Sequence, residues 1–206
     1  MTRMIDRRTA LTLTAAALAS TGLSAPAFAD TPEPHTGDVV LGDENAPVTV
    51  IEYASLTCPH CARFHIRTWP EFKTNYVETG KVRFIMREVY FDRLGLYASM
   101  VARCGGAGAF YPLVDQYLKQ QDRWTRAPEN QLIGEIRKIG RINGLSREAM
   151  DACLSDQEYA KTLVENYQRT ATEDAVQSTP TFVINGDKVS GDMSYAEFSA
   201  LVDKHL

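Results

Sequence analysis

The 206-residue sequence has no apolar run long enough to cross a membrane as a helix. Residues 10–23 come nearest, but that stretch is short and rich in Ser and Thr. Nor is there a basic excess: 22 Lys and Arg stand against 26 Asp and Glu, a formal charge of −4. This balance argues against a nucleic-acid partner, which would call for a cationic face. Walker, dinucleotide and haem-attachment fingerprints do not occur. No internal repeat or low-complexity tract is visible. Cysteine is scarce, with four residues: Cys58, Cys61, Cys104 and Cys153.

The first stretch has its own logic. Arg3, Arg7 and Arg8 flank the apolar run on one side, and Ala27-Phe28-Ala29 follows it before Asp30. That is the layout of a secretory signal cleaved after Ala29. A disordered tail or a membrane anchor is the other reading. Arg7-Arg8 with Leu11 fits twin-arginine export only in part. Cleavage would leave 177 residues of formal charge −6, the size of one domain or of one with an insertion. An even cysteine count in an exported chain suggests disulfides.

Thr31 to Thr36 contains two prolines and reads as a flexible lead-in. Val48 to Ala54 is a nearly continuous apolar, β-branched run, which predicts a strand buried on both faces. A helical segment opens at Cys58-Pro59, with Phe64, Phe72 and Tyr76 spaced along one face. Pro70 must kink or break it, because proline lacks a donor and clashes with the carbonyl of Ile66. Val82 to Val89 predicts a second strand. Helices are expected at 94–104, 110–121, 130–142, 147–154 and 157–175. Phe110, Tyr111, Leu113, Val114, Tyr117 and Leu118 read as core. Thr181 to Ile184 predicts a third strand, and Asn185-Gly186 a two-residue hairpin turn. Ser194 with Glu197 forms a capping box for a last helix.

The order is a βαβ unit, a helical block and a ββα unit. This predicts an α/β, thioredoxin-like fold with an inserted helical domain. The expected organisation is a signal at 1–29 and a lead-in at 30–47. The first part of the fold spans 48–91, the helical insertion 92–176 and the second part 177–206.

Cys58-Pro59-His60-Cys61 follows a buried strand and begins a helix. Four unpaired N–H groups and the positive end of the macrodipole favour a thiolate on Cys58 there. His60 can add charge or a donor. Cys58 is then the exposed, attacking sulfur, and Cys61, one turn on, the buried resolving thiol, with a mixed disulfide between enzyme and substrate. A zinc clip is the alternative, but tetrahedral zinc usually takes a second close ligand pair. Cys104 and Cys153 are isolated from the motif in sequence, and His65 adds only one candidate. A structural disulfide across two residues would constrain little of the unfolded chain.

Together with Ile51-Glu52-Tyr53, the inserted helices and Ser178-Thr179-Pro180-Thr181-Phe182, this motif resembles the DsbA-type thiol–disulfide oxidoreductases. The resemblance covers essentially the whole chain beyond the signal. It implies a cis-proline at Pro180 facing the active-site cysteines, where an ordinary trans turn proline is the alternative. It also implies a buried acid at Glu52 that shuttles a proton to or from Cys61, the alternative being an acid that reaches solvent. Pro59, Thr179 and Pro180 would lie beside an extended substrate. Thr179 departs from the Val of the best-studied oxidases and resembles the isomerase branch. Isomerases usually carry an N-terminal dimerisation domain, however, and Asp30 to Pro47 is too short for one.

Cys104 and Cys153 lie on two predicted helices. A bridge between them would close a loop of about 50 residues, worth at most about 4 kcal/mol. They read as a structural disulfide pinning the helical block; a second redox pair is the alternative. The expectation is therefore a periplasmic dithiol oxidase that needs no diffusible cofactor and acts on reduced secreted proteins. The resemblance adds a quinone-linked membrane protein as reoxidant. An isomerase or reductase, or a non-enzymatic metal- or peptide-binding protein, are the competing readings.

Overall fold

Strand β2 (Val48–Ala54) runs down the middle of a five-stranded sheet in a computed structural model that describes residues 34–206. The signal expected at 1–29 lies outside the described residues. Strand β3 (Val82–Glu88) pairs with β2 in parallel, Val48 opposite Val82 through Ala54 opposite Glu88. Helix α1 (Pro59–Arg67), helix α2 (Trp69–Phe72) and a π-helical turn at Lys73–Val77 connect the two. Strand β4 (Thr181–Ile184) lies antiparallel on the other side of β2, and β5 (Asp187–Ser190) forms that edge. The opposite edge is a strand of two residues, β1 (Val40–Leu41), antiparallel to β3. Two residues carry no readable alternation, so β1 was not expected.

Six α-helices lie between β3 and β4: α3 (Arg93–Cys104), α4 (Ala107–Lys119), α5 (Gln121–Thr125), α6 (Leu132–Ile142), α7 (Arg147–Ser155) and α8 (Gln157–Glu173). Helix α9 (Tyr195–Val202) closes the chain behind the Ser194–Glu197 capping box. This is the α/β thioredoxin-like fold with a helical insertion. The β4–β5 turn holds Asn185 at φ 46° and Gly186 at φ 100°, the left-handed pair that a two-residue hairpin needs.

Two local expectations change, and a third, at Pro70, is narrowed. The second face of β2 is only partly covered: Thr49 and Ile51 are half-buried. Tyr53 is fully buried because α8 reaches over it, placing Thr170 O and Asp174 Oδ2 at 3.0 and 2.5 Å from its hydroxyl. Pro70 breaks the helix rather than kinking it. Helix α1 stops at Arg67, and α2 restarts with Pro70 in its first turn, where the missing N–H costs nothing. The helix expected at 110–121 begins at Ala107 and ends at Lys119, and a separate α5 follows Gln120, whose φ of −103° leaves the helical path.

The core joins the halves of the fold through aromatic contacts. Phe64 of α1 and Phe198 of α9 both pack on Phe182 of β4, with ring centroids at 4.7 and 4.6 Å, and Phe72 of α2 meets Phe198 at 4.7 Å. Each fully buried Phe contributes about 1.5–3 kcal/mol. Phe110, Leu113, Val114, Tyr117 and Leu118 of α4 are also buried in this core.

A disulfide joins Cys104 of α3 to Cys153 of α7, with Cα atoms 6.1 Å apart. It sits in a separate cluster with Met100, Tyr159 and Leu163. Replacing both cysteines with Ala should lower the unfolding free energy by about 2–4 kcal/mol, measured by urea titration. The alkylation rate of Cys58 should not change.

Candidate active site

Helix α1 starts immediately beyond β2, and Cys58 occupies its N-cap with extended backbone (φ −82°, ψ 119°). Pro59 stands in the first turn, where no N–H is required. An N-cap side chain normally accepts from the second and third residues of the helix. Here those are His60 and Cys61. The Cys58 side chain makes no close cap bond as a thiol, but the two N–H groups favour its ionised form.

The Cys61 thiol makes the largest contribution, donating a hydrogen bond to the Cys58 sulfur. Burial opposes ionisation, and the Thr179 side chain favours it. The net result holds Cys58 well below an ordinary thiol, at about 5. Burial pushes the Cys61 thiol far up, and its hydrogen bond to the Cys58 sulfur adds to that. Both cysteines are free thiols here, Cys58 half-buried and Cys61 buried.

Alkylation of reduced Cys58 by iodoacetamide should accordingly stay fast from neutral pH downward and fall with a midpoint at about pH 5. A free thiol would already be slow below about pH 8.5. Because the folded value lies below the unfolded one, the thiolate stabilises the reduced fold fully only above the unfolded thiol's range. That stability is lost as pH falls through about 5. The disulfide form has no such group, so the reduced form's advantage shrinks on acidification.

The Thr179–Pro180 peptide is cis and brings the Thr179 carbonyl oxygen to 3.5 Å from Cys58 Sγ. Pro180 is buried, and its carbonyl accepts from Gly191 N–H at 2.8 Å. The Thr179 N–H bonds to no backbone carbonyl among the described residues. Glu52 lies on the core face of β2 and is fully buried rather than reaching solvent. The structure thus brings Glu52, Cys58, Pro59, His60, Cys61, Thr179 and Pro180 to one end of the sheet, and places Cys104–Cys153 in the helical block.

His60 plays a different part from the one expected of its ring. Its Nδ1 faces the Arg63 guanidinium, which also pairs with Asp192. What His60 offers the sulfur is its backbone N–H.

Sequence reasoning missed Gln121 and weighed His65 only as a metal ligand. Gln121, at the start of α5, donates from Nε2 to Leu56 O at 2.8 Å and to Cys58 O at 3.0 Å. It ties the active-site loop to the helical insertion, and each buried carbonyl left open would cost about 1–3 kcal/mol. Nothing local in the sequence marks it. His65 places Nε2 at 2.8 Å from Glu52 Oε2, with both groups buried. Its position one turn after Cys61 was the available signal. Among the described residues no three His, Cys, Asp or Glu side chains converge as a metal set.

A thioredoxin family model matches residues 35–204. A Rickettsia bellii protein named "Putative protein-disulfide oxidoreductase" is 36% identical over 170 residues, covering 82% of this chain and 64% of that protein. The chain thus spans under two thirds of that relative. Disulfide bond formation protein D of Bacillus subtilis is 26% identical over 175 residues, covering 82% of this chain and 78% of that protein. The crystal structure of alpha-DsbA1 from Wolbachia pipientis superposes with a TM-score of 0.75 at 28% identity, covering 84% of this chain and 92% of that one. With a cysteine pair at a helix N-terminus, a cis-proline opposite it and helices inserted between β3 and β4, the chain belongs to the thioredoxin family as a DsbA-like member.

Proposed function

We propose that this protein is a dithiol oxidase that places disulfides in exported proteins. The observation that carries the reading is the placing of the Cys58 sulfur at the start of α1, where the Cys61 thiol and the backbone N–H groups of His60 and Cys61 favour its thiolate, 3.5 Å from the carbonyl beside the cis-proline. In the oxidised form a substrate thiolate attacks Cys58 Sγ. The Cys58–Cys61 bond breaks, and its electron pair leaves on Cys61, which takes up a proton. A second substrate thiolate then attacks its partner sulfur in the mixed disulfide. Cys58 departs as a thiolate, and its low pKa makes it a good leaving group. The open backbone of Thr179 would pair with an extended substrate in a sequence-tolerant way. The signal-like residues 1–29 support action in the periplasm. A quinone-linked membrane protein would restore the disulfide, as the DsbA resemblance implies.

Thr179 supports a second reading, disulfide isomerisation, because a threonine before the cis-proline resembles the isomerase branch. A refolding assay separates the two. The oxidised protein should form one disulfide in a reduced, unfolded substrate for each Cys58–Cys61 disulfide consumed. It should not speed recovery of a scrambled substrate beyond glutathione. The reverse pattern would establish the isomerase.

A further inference from the structure

The buried pair of Glu52 and His65 is larger than the site's geometry alone demands. His65 is 1% exposed and Glu52 is fully buried. They share the 2.8 Å hydrogen bond between Nε2 and Oε2. The other two atoms, His65 Nδ1 and Glu52 Oε1, have no hydrogen-bond partner among the described residues. Leaving such atoms open costs about 1–3 kcal/mol each, so their presence calls for an explanation. Packing does not supply one. The His65 ring rests on Trp69 and Phe64, with centroids at 5.5 and 5.7 Å, contacts that an apolar side chain would make as well.

The two ends of the pair face different surroundings. Glu52 acts electrostatically on Cys61. The His65 ring lines a cleft of about 700 Å³ between β1, α2 and α4. Lys73, Asp115 and Lys119 rim this cleft, and the two lysine side chains are 37% and 47% exposed. Tyr111 also lines it, but its hydroxyl is engaged with Val39 O at 2.7 Å. His65 therefore stands between a sealed carboxyl group and a solvent-open cleft.

We infer that His65 relays protons between that cleft and Glu52, and through Glu52 to the Cys61 sulfur. The inference rests on the oxidase reading above. When the Cys58–Cys61 bond breaks, the electron pair on buried Cys61 takes the proton of the Glu52 carboxyl. The Glu52 carboxylate takes the Nε2 proton of His65, while Nδ1, closed off from solvent in this structure, accepts one from a water admitted from the cleft. One proton has entered, and the protein's own disulfide is the only oxidant. On reoxidation each transfer runs in reverse: Nδ1 releases its proton, Glu52 returns one to Nε2, and Cys61 protonates Glu52. The imidazole thus returns to its starting tautomer in each cycle.

The test uses the full oxidised protein, with dithiothreitol as the dithiol, in single-turnover reactions quenched by acid. Loss of the Cys58–Cys61 disulfide is read by mass after alkylation. His65→Ala and His65→Gln should both slow this step about 100-fold, the scale of general acid–base catalysis. Imidazole should restore His65→Ala in proportion to its concentration, and Cys58 alkylation should be unchanged in both variants. The glutamine amide keeps an N–H donor for Glu52 but cannot pass a proton through. A His65→Gln rate equal to wild type would overturn the relay and leave His65 as a positioning residue. Absence of imidazole rescue would also overturn it. If the wild-type disulfide itself reacts no faster than oxidised glutathione, the oxidase reading falls and the relay falls with it. That failure appears in the wild type, before any variant is compared.

Discussion

Cys58→Ser should reduce dithiol oxidation to the uncatalysed rate while leaving the fold intact. The chemistry needs a sulfur that can alternate between disulfide and thiolate, and a hydroxyl can do neither. The fold should tolerate the change because Cys58 is an N-cap, a position where Ser is among the favoured residues. The hydroxyl should accept from the same N–H groups of His60 and Cys61 that now favour the thiolate. Far-UV circular dichroism and the urea midpoint should therefore match wild type. Cys61→Ser should behave differently. It keeps the attacking sulfur but removes the resolving one, so its Cys58 thiolate should attack a disulfide-bonded substrate, release one substrate sulfur as a thiolate and hold the other in a stable mixed disulfide, visible on a non-reducing gel. Trapping through Cys58 in Cys61→Ser, with none in the converse variant, establishes which sulfur meets the substrate. Equal trapping by both would contradict the division of labour read from burial.

The largest effect on stability should come from Arg103→Leu. Arg103 of α3 and Glu88 of β3 form a two-pronged ion pair, Nε to Oε1 at 2.7 Å and a terminal nitrogen to Oε2 at 2.6 Å. Both side chains are at most 5% exposed. The other terminal nitrogen donates to Gly37 O at 2.7 Å and His35 O at 3.2 Å, and the guanidinium lies 4.5 Å over the Phe110 ring. Removing the cation strands a buried carboxylate and two carbonyls. The expected cost is about 3–5 kcal/mol, a large share of the 5–15 kcal/mol typical of a domain. Adding Glu88→Leu to Arg103→Leu should recover part of the loss, because it removes the stranded charge. Urea unfolding of the two single variants and the double variant measures this. Additive losses would show that the pair is not coupled.

What was legible in the sequence was local. The β-branched run of β2, the proline-containing cysteine motif after it, the Asn185-Gly186 turn and the Ser194–Glu197 box each carry their signal within a few residues. Together they were enough to give the order of elements and to place Cys58 on a helix N-terminus. What stayed hidden depends on residues distant along the chain. Gln121 reaches Cys58 O only because α4 ends at Lys119 and α5 turns back toward the loop. Arg103 finds Glu88 across 15 positions, through the packing of α3 near the end of β3. Glu52 was readable as an acid among apolar neighbours, but its partner His65 was weighed only as a spare metal ligand. His60 was read as adding charge or a donor to the sulfur, and the donor it supplies is its backbone N–H, which the residue type alone does not single out. Neighbours in the motif indicate which groups are near; only the fold shows where they point.

The reduction potential of the Cys58–Cys61 pair tests the central claim most directly. Holding the thiolate at about 5 favours the reduced form, by about 30 mV for each pKa unit below ambient pH before solvent screening reduces it. Equilibration of the purified protein with glutathione redox buffers at neutral pH should give a value well above the roughly −270 mV of thioredoxin, toward the roughly −120 mV of DsbA. A value at or below thioredoxin's would contradict the account, because a thiolate stabilised as described here cannot belong to a reducing pair.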